Sequence, residues 1–208
     1  YIMRAETRLI INNYYDEDDK KLFCKFAKII KNDYKIKDTH RQIWEYDQSL
    51  GGFGGYAAPL NPTLNPFNSL GDFRNVFRSL QYARSDMFYC TRPRHIIIDT
   101  ALHVETLVKL VLSKNKLLKF IYNRREFGKN IEQLYKENII NNDLYERLNN
   151  LRKILNYAKH DTDPDRDNTF DYEDAIVFYF ETRKVGNKLL KSLNYPTYDK
   201  TFEINEDI

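Results

Sequence analysis

Along most of this chain apolar residues recur three and four positions apart, and between residues 71 and 195 no stretch alternates apolar and polar positions over a strand's length, so the sequence predicts helices. Behind the acid-rich start Asp16-Glu17-Asp18-Asp19, the positions Leu22, Phe26, Ile29 and Ile30 mark a helix with carboxylates at its positive end. The segment around Ile43, Trp44 and Tyr46 fits a short helix or a strand equally well. Asp72 can cap a helix with Phe73, Val76, Phe77, Leu80 and Met87 on its apolar face, which ends before Pro93. The segment Arg94 to Leu112 is apolar nearly all round, which assigns it to the centre of a bundle. A short helix follows over Phe127 to Lys136, with Ile131, Leu134 and Tyr135 inward. The next helix, Asn142 to His160, has the stripe Leu144, Leu148, Leu151, Leu155 and Ala158. Asp171 caps the last one, which turns Ala175, Phe178, Thr182, Val185, Leu189 and Leu193 to one side and ends before Pro196.

The expected fold is therefore all-α, a bundle of four or five helices preceded by an N-terminal helical arm. Four of the seven glycines lie in Gly51 to Gly55 and three of the six prolines are Pro59, Pro62 and Pro66, so a linker is placed over 49–70. The division expected is an arm at 1–48, the linker, a bundle at 71–195 and a tail at 196–208.

Composition narrows the class. With 42% hydrophobic and 30% charged residues among 208, the chain is too apolar for disorder and too poor in Gly and Pro for a fibrous protein. Charges interrupt each apolar run before it reaches the length of a membrane span, and the early residues lack the basic-then-apolar pattern of a leader. Cys24 and Cys90 form no Cys-x-x-Cys pair. They are expected to be small buried hydrophobes in a cytoplasmic protein. Net charge is only +3, yet it is unevenly spread. Residues 109–129 hold seven Lys or Arg against Glu126, and residues 161–174 hold seven acids against Arg166.

Several constellations compete as sites. On a helix turning about 100° per residue, Arg152, Asn156 and His160 share one flank beside the apolar stripe. A guanidinium can hold a phosphate, an imidazole can move a proton near neutral pH, and an amide can orient either. The basic segment Lys114, Lys116, Lys119, Arg124 and Arg125, interleaved with Phe120 and Tyr122, can track a nucleic-acid backbone. Gly51 to Tyr56 is Gly-rich but lacks the Gly-Lys-Ser/Thr of a phosphate loop. Asp161, Asp163, Asp165 and Asp167 begin like a calcium loop, then fail at Arg166 and Tyr172, so no metal is expected. His103 and Glu105 lie two apart and point about 200° away from each other, which rules out a local pair. Glu105 needs a partner if buried.

The run Leu151 to His160, LRKILNYAKH, resembles the signature helix of the HEPN superfamily in its Leu-Arg opening, its Asn four before His and its small residue two before His. The surrounding segments ALHVETLVKLVL, FGKNIEQLYKENII and DYEDAIVFYF are similar to that family's as well, so the resemblance covers about residues 94 to 193. It implies a helical bundle that homodimerises and handles RNA or nucleotide, in its catalytic form a metal-independent endoribonuclease of antiphage defence or toxin-antitoxin systems. Partners would include an antitoxin or defence-complex protein, with no cofactor. His160 would be the acid/base and Arg152 the stabiliser of phosphate charge. The catalytic version places Arg immediately before the Asn, or four to six residues before the His. This chain departs from both, with Leu155 before Asn156 and seven residues between Arg152 and His160. The alternative is a non-catalytic module for dimerisation or partner binding.

Overall fold

The computed structural model describes residues 3–32, 43, 45–47, 70–88, 92–119, 126–160 and 170–194, which are mostly helical with no strand among them. Seven helices have defined bounds: α1 Ala5–Tyr14, α2 Glu17–Asn32, α3 Leu70–Phe88, α4 Pro93–Lys114, α5 Phe127–Lys136, α6 Asn142–His160 and α7 Tyr172–Ser192. Residues 43 and 45–47 are helical too, which resolves the ambiguity around Tyr46. The all-α expectation is met. The Gly51–Gly55 loop, the rest of the linker apart from Leu70, Cys90 and the acidic run 161–169 lie outside the described residues.

Local chemistry sets several of the boundaries. Pro93 opens α4 at its first helical position, where a missing N–H costs nothing. Asp171 caps α7 as expected, and a capping box forms: its own N–H donates to Asp174 Oδ2 at 3.0 Å while its side chain accepts from the first turn. Lys116, Asn138 and Asn194, with φ of 60°, 55° and 57°, close α4, α5 and α7 in the left-handed conformation that ends helices. One expectation fails here, because α3 begins at Leu70 and so Asp72 stands inside the helix.

Two helices form the centre. α4 packs against α3, α5, α6 and α7, while α7 packs against α1, α2, α4 and α6. The buried face of α4 includes Ile96, Ile97, Ala101, Val104, Leu107 and Val111. On α7 each residue from Asp174 to Arg183 is buried, which is more than the single face anticipated. Their close approach depends on Gly186: a Cβ there would stand 3.0 Å from Leu107 Cδ1 and 3.5 Å from His103 Nε2.

The N-terminal helices join the same core. Ile10 of α1 and Phe23, Phe26 and Ile30 of α2 are buried in one cluster with α4 and α7, and Phe23 stacks on Phe180 with ring centroids 5.2 Å apart. The α1 helix was not distinguished in the sequence. It lies antiparallel to α6, with Tyr14 against the Arg147 guanidinium at 4.6 Å and Arg4 stacked toward the Tyr157 ring at 5.5 Å.

Ion pairs inside the core tie these layers together. Glu181 is fully buried and accepts from Arg147 Nε at 2.6 Å, from Arg147 Nη2 at 2.7 Å and from the Tyr15 hydroxyl at 2.9 Å. Burial, and then the neighbouring Glu181 carboxylate, push the Tyr15 phenol well above its ordinary pKa, so it stays a donor. Two residues on, Arg183 Nε donates to Asp47 Oδ1 at 2.6 Å, and Arg84 Nη1 lies 3.9 Å from the other oxygen of that carboxylate.

Removing one member of a buried pair strands the other charge, whereas removing both leaves an apolar contact. Glu181→Leu is therefore expected to cost about 3–5 kcal/mol. The double variant Arg147→Met/Glu181→Leu recovers most of that loss. Denaturant unfolding of the three proteins measures both, and equal stability of wild type and Glu181→Leu would contradict the assignment.

Candidate functional site

The three residues predicted on the flank of α6 do come together. Arg152, Asn156 and His160, with Leu155 and Lys159 of the same helix, form one wall of a cleft of about 340 Å³. Glu105 of α4 lines it as well, and Glu126, Phe127 and Gly128 at the start of α5 complete it. The geometry follows from packing: Leu151, Ile154, Leu155 and Ala158 seat α6 on the core, which leaves the next flank turned toward α5 and the middle of α4.

Gly128 lies against Arg152. A Cβ at that position would come within 3.4 Å of Arg152 Cδ and 3.6 Å of its Nε and Nη1, so the stem of the arginine lies flat over the first turn of α5. Arg152 Nε donates to Asn149 Oδ1 at 3.2 Å, one turn back on its own helix, which fixes the direction of the guanidinium. The half-buried Glu105 has the partners it requires: Lys109 Nζ donates to Oε1 at 3.0 Å, and Lys159 Nζ lies 4.0 Å from Oε2. Glu126 is held by Lys129 at 3.2 Å.

The lining thus carries Arg152 and Lys159 against Glu105 and Glu126, with His160 and Asn156 as polar groups able to exchange or orient protons. It is a mixed-charge cleft with an apolar floor of Leu155 and Phe127. Such a site can hold one anionic group at its cations while a flat ring rests on the apolar surface.

The described lysines of the basic segment do not line this cleft. Lys114, Lys116 and Lys119 are exposed at and beyond the C-terminal end of α4, and none of them lines it. Arg124 and Arg125, like Phe120 and Tyr122, lie outside the described residues. Tyr135, expected to point inward, is 40% exposed and stacks on Tyr145 with centroids 4.4 Å apart. Cys24 is half-buried, with its thiol 3.5 Å from Glu173 Oε1. No group of His, Cys, Asp and Glu among the described residues could hold a metal ion. No described helix is long and apolar enough to cross a membrane.

Sequence reasoning did not identify Gly128, Glu126 or Lys159 as members of the site. Lys159 stands just before His160 but reaches across to Glu105, a contact between helices that no local spacing encodes. No family model matches the chain, and no curated protein or solved structure matches it.

His103 is not part of the cleft. It is fully buried on the opposite side of α4, where its Nδ1 bonds the Val76 carbonyl oxygen at 2.8 Å, so that Nδ1 carries the proton. Its Nε2 faces Gly186 without a hydrogen-bond partner. Burial is the main cause that lowers its pKa from 6.5 to about 3. An unfolded chain takes up a proton at this residue below pH 6.5 that the folded one refuses, so stability present above pH 6.5 is lost as pH falls toward 3. The slope is about 1.4 kcal/mol per pH unit. His103→Gln retains a donor for Val76 and removes the titration. Urea unfolding at pH 6.5 and pH 5 should show wild type losing about 2 kcal/mol that the variant keeps. Parallel losses would contradict this reading.

Proposed function

We propose that this is a HEPN-like domain that handles RNA or nucleotide, acting as a metal-independent endoribonuclease effector in antiphage defence or a toxin-antitoxin system. The observation that carries the reading is the cleft, in which Arg152, Asn156 and His160 meet side by side with Lys159 as a second cation. In the reaction an RNA 2′-hydroxyl attacks its adjacent phosphorus, the 5′-oxygen of the next nucleotide leaves, and a cyclic phosphate remains. His160 moves the proton between these oxygens, Arg152 balances charge on the phosphoryl oxygens, and Asn156 orients the phosphate or the imidazole.

A homodimer follows from the same resemblance, and the half-buried Ile98 and 41% exposed Leu102 on the outer side of α4 suit such a contact. An antitoxin or defence-complex protein is the other expected partner, and Lys114, Lys116 and Lys119 would serve as an electrostatic track for RNA. A second reading, a non-catalytic binding or dimerisation module, is favoured by Leu155. It lies against the core with 2% exposure at the position where the catalytic version carries an arginine.

Incubation of the purified protein with total RNA in EDTA separates the readings. The enzyme is expected to leave cyclic phosphate ends, with at least a hundredfold slower cleavage in His160→Ala and in Arg152→Ala. Cleavage unaffected by both substitutions would sink the catalytic assignment. Intact RNA together with binding that weakens steeply with salt would select the module.

A further inference from the structure

The last four carbonyl groups of a helix lack partners within it, and cations near that end relieve the deficit. α6 has two basic residues in its last turn, Lys159 and His160. Both instead line the cleft, and Lys159 extends toward Glu105. The carbonyl groups are served from another helix: Arg94 Nε donates to the Ala158 oxygen and Arg94 Nη2 to the Lys159 oxygen at 3.4 Å.

The placement is costly where Arg94 itself stands. The start of α4 carries Arg92, Arg94 and His95 and has no acid in its first turn, opposite to the preference of a helix N-terminus. A local rule broken with a compensating contact elsewhere points to a site. Here the compensation is the negative end of α6, which the packing of α4 against α6 brings beside it.

We infer that Arg94 is a positioning residue of the cleft: bonded to the carbonyl oxygens of Ala158 and Lys159, it orders the last turn of α6 and so frees the Lys159 and His160 side chains to work in the cleft. What those side chains then do rests on the proposed RNA-handling function. The ordering of the turn is independent of it.

Hydrogen exchange of the full chain tests the ordering, and RNA cleavage or RNA binding tests its use. In Arg94→Ala, amides 157–160 are expected to exchange about tenfold faster, with the cores of α4 and α7 unchanged, and Arg94→Lys should restore part of the protection. On RNA, Arg94→Ala should lose activity or affinity, while adding it to Lys159→Ala/His160→Ala should cost nothing further, because it acts through those two side chains. Unchanged exchange at the end of α6, faster exchange throughout the core, or a further loss on top of that double variant would each overturn the inference. If the turn loosens as expected while wild type and His160→Ala treat RNA alike, the positioning stands and the proposed function falls.

Discussion

The burial of Glu181 constrains the rest of the molecule. A carboxylate removed from water at the middle of α7 costs several kcal/mol unless its oxygens are satisfied, and three donors converge on it, two from the Arg147 guanidinium and one from the Tyr15 hydroxyl. Those donors belong to α6 and to the residue that follows α1. Meeting one electrostatic demand therefore fixes the mutual placement of three helices, one of which carries the residues of the cleft. Arg183 makes a parallel demand two residues later, and Asp47 meets it from between α2 and α3. The two charges point to opposite sides of α7 and bind different parts of the chain.

The cleft inherits its geometry from this framework. Arg147 enters the core from the first half of α6, and Arg152, Asn156 and His160 follow on the flank that the packing leaves open. Because α6 is held by Glu181 near one end and by Arg94 at the other, the side chains between them project from a rigid element. Gly128 completes the arrangement by lying close against the arginine stem.

Periodicity was enough to place α4, α5, α6 and α7 in the sequence, and the bounds of α5 and α6 agree with the structure residue for residue. It failed where burial did not coincide with apolar character. The run Asp174 to Arg183 contains Asp174, Glu181 and Arg183, which a hydrophobic pattern assigns to solvent, although they are among the most buried residues of the chain. The partners of Glu181 and Arg183 stand far away in sequence, so only the folded arrangement reveals that these two charges are matched. The helix α1 escaped notice for a related reason, since Asn12 and Asn13 interrupt its stripe and leave only Thr7, Ile10 and Ile11 as its buried side. For the site, one helix face was legible because 152, 156 and 160 repeat at one spacing. The opposite walls were not, because Glu105 and Gly128 arrive from other helices.

The contacts of α1 span nearly the whole chain: Arg4 N–H donates to Asp174 across 170 positions, and Tyr15 reaches Glu181 across 166. On a ribosome adding about 5–20 residues each second, the first helix waits roughly 10–30 s before its acceptors exist. Throughout that interval Phe23 and Phe26 have Tyr46 beside them but lack Phe180, the α7 ring that completes their packing. The acids Glu17, Asp18 and Asp19 that open α2 then do a second service, keeping an early amphipathic segment in solution while its partners are still being made. Assembly is then a closing step in which α1 and α2 seal a core that α7 completes, and pairing across so many positions makes that step slow.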